Sequence, residues 1–354
     1  MLSRLQIPCV LSKFRSYSTA PPNATVFISR STSPYFNLTI EDWLFRKAPK
    51  QQPLLFLYIN KPCVVIGRHQ NPWKEINFPA LRSLGIPFIR RRSGGGTVYH
   101  DLGNANYSIH LPRESFDRHK TSKVIQRALQ SLHVNAEVND RNDICVGGFK
   151  VSGSAYKIVN IRAYHHGTML ISTDLSKLGD ALRNTKDTMV TRGVASVRSP
   201  VNNLWQFNPG LSYEGFENAM VETFNKEYYP DSTAAEVHEI TESPEVLEID
   251  YIAKGIEELK SWEWQYGQTP EFTHIMTGKF SWGELTFDIS SKHGIINSCR
   301  VSSSDPGLTS FCKAFGESLV DQKYMFLEGL LGDPSDATLS ERKREAVEWL
   351  RENM

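Results

Sequence analysis

"FIRRRSGGGTVYHDLGNANYSI", residues 88–109, runs three arginines into three glycines and then into a Tyr-His-Asp cluster. The apolar residues before the arginines read as a strand, "NANYSIHL" as the strand leading away, and the glycines as the loop between them. Gly94, Gly95 and Gly96 carry no side chains, so a ligand can approach the main chain and N–H donors can converge on it. On a regular strand Arg91 points to one face, Arg90 and Arg92 to the other. A guanidinium beside exposed donors makes a phosphate clamp; the same cluster on a solvated edge would only discourage aggregation. Three glycines are common in loops, and these form neither the Rossmann G-x-G-x-x-G nor the G-x-x-x-x-G-K-[ST] P-loop. The rest of the chain has to decide.

Downstream, "GGFKVSGSAYK" puts Lys150 on a strand of small residues between two glycine-containing turns. An amine with room for a ligand beside it is a candidate to hold developing negative charge. Asp143 and the "HHGT" run, His165 to Thr168, fall on neighbouring strands. His165 and His166 face opposite ways on a strand, which suits packing or hydrogen bonding better than a shared metal.

The surroundings read as a mixed α+β chain. "NLTIEDWLF" has helical spacing with Asn37 as its N-cap, and "LLFLYIN" and "CVVIG" are apolar strands separated by Lys61-Pro62. "HKTSKVIQRALQSLH", "TDLSKLGDALR" and "YEGFENAMVETFNKEYY" are amphipathic helices. Residues 231–250 turn acidic and poor in large apolar side chains, the mark of a linker or edge segment. A smaller α+β module follows it.

Composition excludes several classes. With 354 residues, 40% hydrophobic and 22% charged, the chain can bury a large core, and a net charge of +1 offers no global field for nucleic acid or a membrane surface. No apolar run is long enough to span a bilayer. Five scattered cysteines form no C-x-x-C pair, which suits a reducing compartment, and no metal site is read from the sequence. The first residues carry Arg4, Lys13 and Arg15, many serines and no acid before Glu41. That is the composition of a mitochondrial transit peptide, here residues 1–17 with matrix delivery expected.

Together, "IGRHQNPWKE", "RRRSGGGTVYHDLGNANYS", "KVSGSAYK", "HHGTMLISTDLSKL" and "GVASVRSPVNNL" resemble lipoate–protein ligase A, in that family's order across residues 55–204. "SWEWQYGQTPEF" and the strand-rich stretch after it resemble its accessory C-terminal domain. The resemblance implies a biotin/lipoate-ligase catalytic domain, class II synthetase-like with mixed sheets, over residues 22–245, and a small α+β domain over 246–354. It implies two reactions: lipoate and ATP give lipoyl-AMP, and the acyl group passes to a lysine on a lipoyl domain of a 2-oxoacid dehydrogenase E2 subunit or glycine cleavage H protein. By motif match Lys150 is the catalytic residue. Arg91, Ser93 and the main chain of Gly94, Gly95, Gly96, Thr97, Val98 and Tyr99 hold the nucleotide phosphate, with His100, Asp143 and Thr168 as further pocket or nucleotide contacts. Mg²⁺ is expected with ATP.

Two rivals bear on this. A transferase within the same family would take a preformed acyl-AMP, acyl-CoA or protein-bound donor, and Arg91 and Lys150 would serve that as well. A thioester route needs a nucleophilic cysteine, whereas Cys63 and Cys145 sit in apolar strands and read as buried. A nucleic-acid-binding module lacks a basic stripe beyond residues 90–92.

Overall fold

Two short strands with no polar alternation organise the larger unit. "TVFIS" and "LLFLYI" are apolar on both faces because both faces are covered. Val26, Ile28, Leu55 and Leu57 join the core beneath helices Arg118–Ser131 and Tyr213–Tyr228. Phe27, Leu54, Phe56 and Tyr58 join the opposite core, with Phe36, Ile40 and Leu44 of helix Pro34–Lys47. Each such side chain, fully buried, contributes roughly 1.5–3 kcal/mol.

In this computed structural model residues 24–182, 186–232, 234–331 and 341–354 are described. The transit segment read at 1–17 lies outside the described residues.

The first eight strands are β1 (Thr25–Ser29), β2 (Leu54–Ile59), β3 (Cys63–Ile66), β4 (Phe88–Arg90), β5 (Val98–His100), β6 (Asn104–Pro112), β7 (Glu137–Val138) and β8 (Ile144–Val146). Then come β9 (Phe149–Ser152), β10 (Ser154–Val159), β11 (Arg162–Leu170), β12 (Met189–Thr191), β13 (Glu236–Ile240), β14 (Phe272–Phe280), β15 (Gly283–Lys292) and β16 (Ile295–Ser302). By contact density the chain divides into two compact units. Of the described residues, one holds those within 24–68, 79–182 and 196–261, the other those within 69–78, 186–195 and 262–354.

The first unit is built on a six-stranded mixed sheet in the order β10-β11-β6-β2-β1-β13. β1 lies parallel to both β2 and β13, and the remaining pairs are antiparallel. The acidic stretch near 231–250 thus supplies an edge strand. Two three-stranded sheets complete the unit, β4-β3-β5 and β7-β8-β9. Helix Pro34–Lys47 starts earlier than its sequence suggests. Ser33 is the cap, its Oγ accepting from the Phe36 N–H, with Pro34 in the first turn. Asn37 is instead buried inside the helix, where its amide donates to the Ser31 and Ile59 carbonyls and to Asn60 Oδ1.

The second unit is α+β, an antiparallel sheet ordered β12-β14-β15-β16. β14 alternates buried and exposed along its length, as a strand with one covered face must. Helix Thr309–Leu319 packs on β16, and Trp349 of the last helix stacks on Phe287.

Candidate active site

The arginine–glycine segment links β4 to β5, which flank β3 on either side. The loop therefore arches over the end of β3. It is pinned there by the Arg91 N–H donating to Ile66 O at 2.9 Å and the Arg68 N–H donating to Ser93 O at 2.8 Å. Gly67 lies directly beneath, and a Cβ on it would come within 2.1 Å of Gly95 O. Gly95 is left-handed, φ +88°, and a Cβ there would meet the Arg91 guanidinium. At Gly94 the same construction meets open space.

The three arginines go to three places. Arg90 is fully buried and donates to Arg68 O at 3.0 Å. Arg92 reaches out of the loop to Glu258 and Asp42. Arg91 turns inward and is only 4% exposed. Its Nε donates to Ser93 Oγ at 2.9 Å and Gly94 O at 3.1 Å, its Nη2 to Gly94 O and to Gly96 O at 2.8 Å, and its Nη1 to Val65 O at 3.2 Å. Burial lowers its pKa to about 10, against weaker opposing pulls from Tyr164, Glu41 and Tyr58. Arg91 diverges from its neighbours just past the end of β4, and its hydrogen bonds run to the loop's own Ser93, Gly94 and Gly96 and to Val65 of β3.

Those carbonyls face inward, and the N–H groups of Gly94, Gly95 and Gly96 make no hydrogen bond within the described residues. Three consecutive unpaired donors on an open loop are groups that an anion can take. Ser93 extends the pattern inward: its Oγ lies 2.7 Å from His166 Nε2, and His166 Nδ1 lies 2.9 Å from Glu41. His165, on the other face of β11, bonds Thr121 and Ser154 at 2.9 Å each. Among the described residues no three His, Cys, Asp or Glu side chains converge as metal ligands.

Beyond the loop, the Thr97 N–H donates to Ser196 Oγ at 2.9 Å. Val98 is half-buried and Tyr99 buried on β5, and burial raises the Tyr99 phenol to about 12. His100 is buried too, its Nδ1 accepting from the Asn60 amide at 2.9 Å. Desolvation, reinforced by the charge of Arg91, holds His100 down to about 3, so it is a neutral imidazole.

Lys150 sits on β9, paired across the strands with Cys145. Its Nζ is 2.8 Å from Asp143 Oδ1, and its side chain stays 19% exposed. Asp143 is aimed by a tight turn in which Asn139 Oδ1 accepts from the Arg141 and Asp143 N–H groups, and Asn142 takes a left-handed φ of +61°. Thr168 enters from β11, its Oγ1 accepting from the Gly153 N–H at 3.1 Å. A Cβ on Gly153 would lie 3.5 Å from Thr168 Oγ1 and 3.8 Å from Lys150 Nζ. Lys150, Asp143 and Thr168 are thus brought together around a glycine.

A strap joins the two halves. Ser196 holds the glycine loop; four residues on, Pro200 O accepts from the Lys150 N–H at 2.9 Å, and the Asn202 N–H returns to Lys150 O at 3.2 Å. Between them Arg198 is exposed and without a partner among the described residues. Sequence reasoning passed over Gly67, Gly153, Glu41, Ser196 and Arg198. Glu41 stands beside Asp42 in the same helix, so its acidity alone did not mark it. The expectation that both strand cysteines are buried holds for Cys63; Cys145 is half-exposed, on a short strand whose hairpin reaches the surface.

The model of the lipoyl protein ligase A/B catalytic domain matches residues 33–225. A lipoate-protein ligase A from Psychrobacter cryohalolentis is 37% identical over 299 residues, 84% of this chain and 87% of that protein. Among solved structures, P. falciparum LipL1 in complex with lipoate superposes with TM-score 0.62 at 24% identity, covering 93% of this chain and 99% of that one. A lipoate-protein ligase A bound with ATP superposes with TM-score 0.56 at 24% identity, over 68% of this chain and 98% of the other. The chain belongs to the lipoyl protein ligase A/B family of enzymes.

Proposed function

We propose that this ligase activates lipoate with ATP and then transfers the lipoyl group to a lysine of a lipoyl domain, with domains of 2-oxoacid dehydrogenases and glycine cleavage H protein as acceptors. The observation that carries the reading is one strapped site with unpaired N–H groups at Gly94–Gly96 on one side and Lys150 on the other. In the first step a lipoate carboxylate oxygen attacks the α-phosphorus, and pyrophosphate leaves. Like charges must be brought together, so positioned donors and cations lower the barrier. The glycine N–H groups take phosphoryl oxygens, and Arg198, exposed on the strap, adds a cation. In the second step the acceptor amine attacks the acyl carbon, AMP leaves with the bonding pair, and the amine's proton goes to solvent or a carboxylate. Lys150, held by Asp143, faces the oxygen that gains charge in both steps. Thr168 and Gly153 leave that oxygen its space. Mg²⁺ would neutralise phosphate charge; with no carboxylate cluster among the described residues, it would travel on the ATP phosphates.

The test offers the purified protein and an apo lipoyl domain either lipoate with ATP and Mg²⁺, preformed lipoyl-AMP, or an octanoyl thioester. Lipoylation from lipoate and ATP is expected. Product from lipoyl-AMP alone would make the protein a transferase without an activation step. Lys150→Ala should stay folded and transfer nothing from any donor; full lipoylation by that variant overturns the site.

A further inference from the structure

We propose that Glu41 and His166 are positioning residues for the glycine loop, acting through Ser93 on Arg91, which shapes the loop instead of contacting phosphate. The proposal rests on the phosphate side of the site described above. A guanidinium has five N–H groups, and here four of them, the one on Nε, one on Nη1 and both on Nη2, are directed at acceptors of the chain itself: Ser93 Oγ and the carbonyls of Val65, Gly94 and Gly96. Little of Arg91 is left for a ligand. What its bonds do accomplish is to draw the Gly94 and Gly96 carbonyls inward, which turns the N–H groups of the same two peptides the other way: that of Thr97 is taken by Ser196 Oγ, and that of Gly95 is left free.

A buried cation needs a compensating charge. Glu41, 2% exposed, supplies it through Ser93 and His166. The polarity of the chain is self-consistent. Ser93 Oγ accepts from Arg91 Nε, so its own hydrogen points to His166 Nε2, and His166 Nδ1–H donates to the Glu41 carboxylate at 2.9 Å. Ser93 and His166 each accept once and donate once, between a guanidinium that only donates and a carboxylate that only accepts. The next residue, Asp42, holds the other end of the segment: its carboxylate is 3.5 Å from Arg92 Nε, 2.7 Å from Arg46 Nε and 2.6 Å from Lys157 Nζ. One helix therefore grips the loop at Ser93 and at Arg92.

Calorimetric ATP binding, with melting temperatures, on the wild type, Glu41→Ala, Glu41→Gln and Ser93→Ala decides this. We expect Glu41→Ala and Ser93→Ala to weaken ATP binding at least tenfold and to raise the KM for lipoyl-AMP alike, with the KM for the acceptor domain unchanged. Glu41→Gln, which keeps an acceptor for His166, should recover most of the loss. An ATP affinity within twofold of wild type in both Glu41→Ala and Ser93→Ala overturns the proposal, as does an equal rise in the acceptor KM. Should Glu41→Ala not fold, Ser93→Ala decides alone. A wild type that binds ATP but lipoylates nothing refutes the proposed function while the affinity comparison still judges the relay; a wild type that does not bind ATP overturns both.

Discussion

Gly153→Ala separates the chemistry of the site from its folding. The backbone at Gly153 lies outside the left-handed region, and the added methyl would stand 3.5 Å from Thr168 Oγ1, 3.6 Å from Lys150 Cε and 3.8 Å from Lys150 Nζ. These are ordinary contacts, so nothing has to move. A compatible Gly→Ala change stabilises by about 0.4–1 kcal/mol through the unfolded chain, and the melting temperature should hold or rise slightly. The methyl nonetheless fills the space between Lys150 and Thr168. An oxygen bonded to an ammonium sits about 2.8 Å from it, and a methyl beside that position displaces the acyl-phosphate by something like an ångström. Misplacement on that scale costs about 100-fold, or roughly 2.7 kcal/mol of barrier. Single-turnover transfer from lipoyl-AMP to an apo lipoyl domain, measured beside the melt, gives both numbers. A variant with a wild-type melt and a transfer rate within twofold of wild type would refute the placement of the reacting group between Lys150 and Thr168.

Gly67→Ala should act in the opposite sense: its Cβ would lie 2.1 Å from Gly95 O, so the loop must lift. A lower melting temperature, by roughly 1–3 kcal/mol of stability, should accompany weakened ATP binding, and unchanged ATP affinity would contradict the stacking of the two backbones. Acid should unfold the protein early. Burial holds His100 and His165 down to about 3, below the ordinary 6.5, so both are neutral when folded while the unfolded chain takes up protons. Stability is full above about pH 6.5 and falls toward pH 3, with each histidine worth roughly 2 kcal/mol by pH 5; a melting temperature that stays flat from pH 7 to 5 would exclude this. Iodoacetamide should label half-exposed Cys145 before Cys63, whose thiol is fully buried and pushed up by that burial, and labelling should slow transfer because Cys145 pairs with Lys150. Cys145→Ser should transfer normally, and a dead variant would revive the thioester route.

What the sequence reveals and what it hides divide along physical lines. Local chemistry was legible: apolar runs became β2 and β3, Asp174 caps the helix beginning at Leu175, and the acidic stretch became an edge strand. Proximity of Lys150, Asp143 and Thr168 could be inferred because neighbouring strands carry them. The inward turn of Arg91 could not, since its acceptor Val65 O belongs to another strand and no side-chain pattern reports where a carbonyl points. The Glu41–His166 contact spans 125 residues of chain and leaves no local mark, since Glu41 sits beside a second acid, Asp42. Asn37 misled because asparagine suits both a cap and a buried hydrogen-bonding role; Pro34 was the better marker.

The cap at Ser33 also sets the rotational phase of everything that follows it. Glu41 and Asp42 are adjacent in sequence, so they project about 100° apart around the helix, one toward His166 and the other toward Lys157. Inserting one residue between Ser33 and Glu41 would carry Glu41 into the place of Asp42, and deleting one would carry Asp42 into the place of Glu41; either way the other acid turns away from its partner. Within the helix only Arg46 and Lys47, beyond Glu41, are exposed; the length from cap to Glu41 cannot drift, and a change there should silence the enzyme from two turns away.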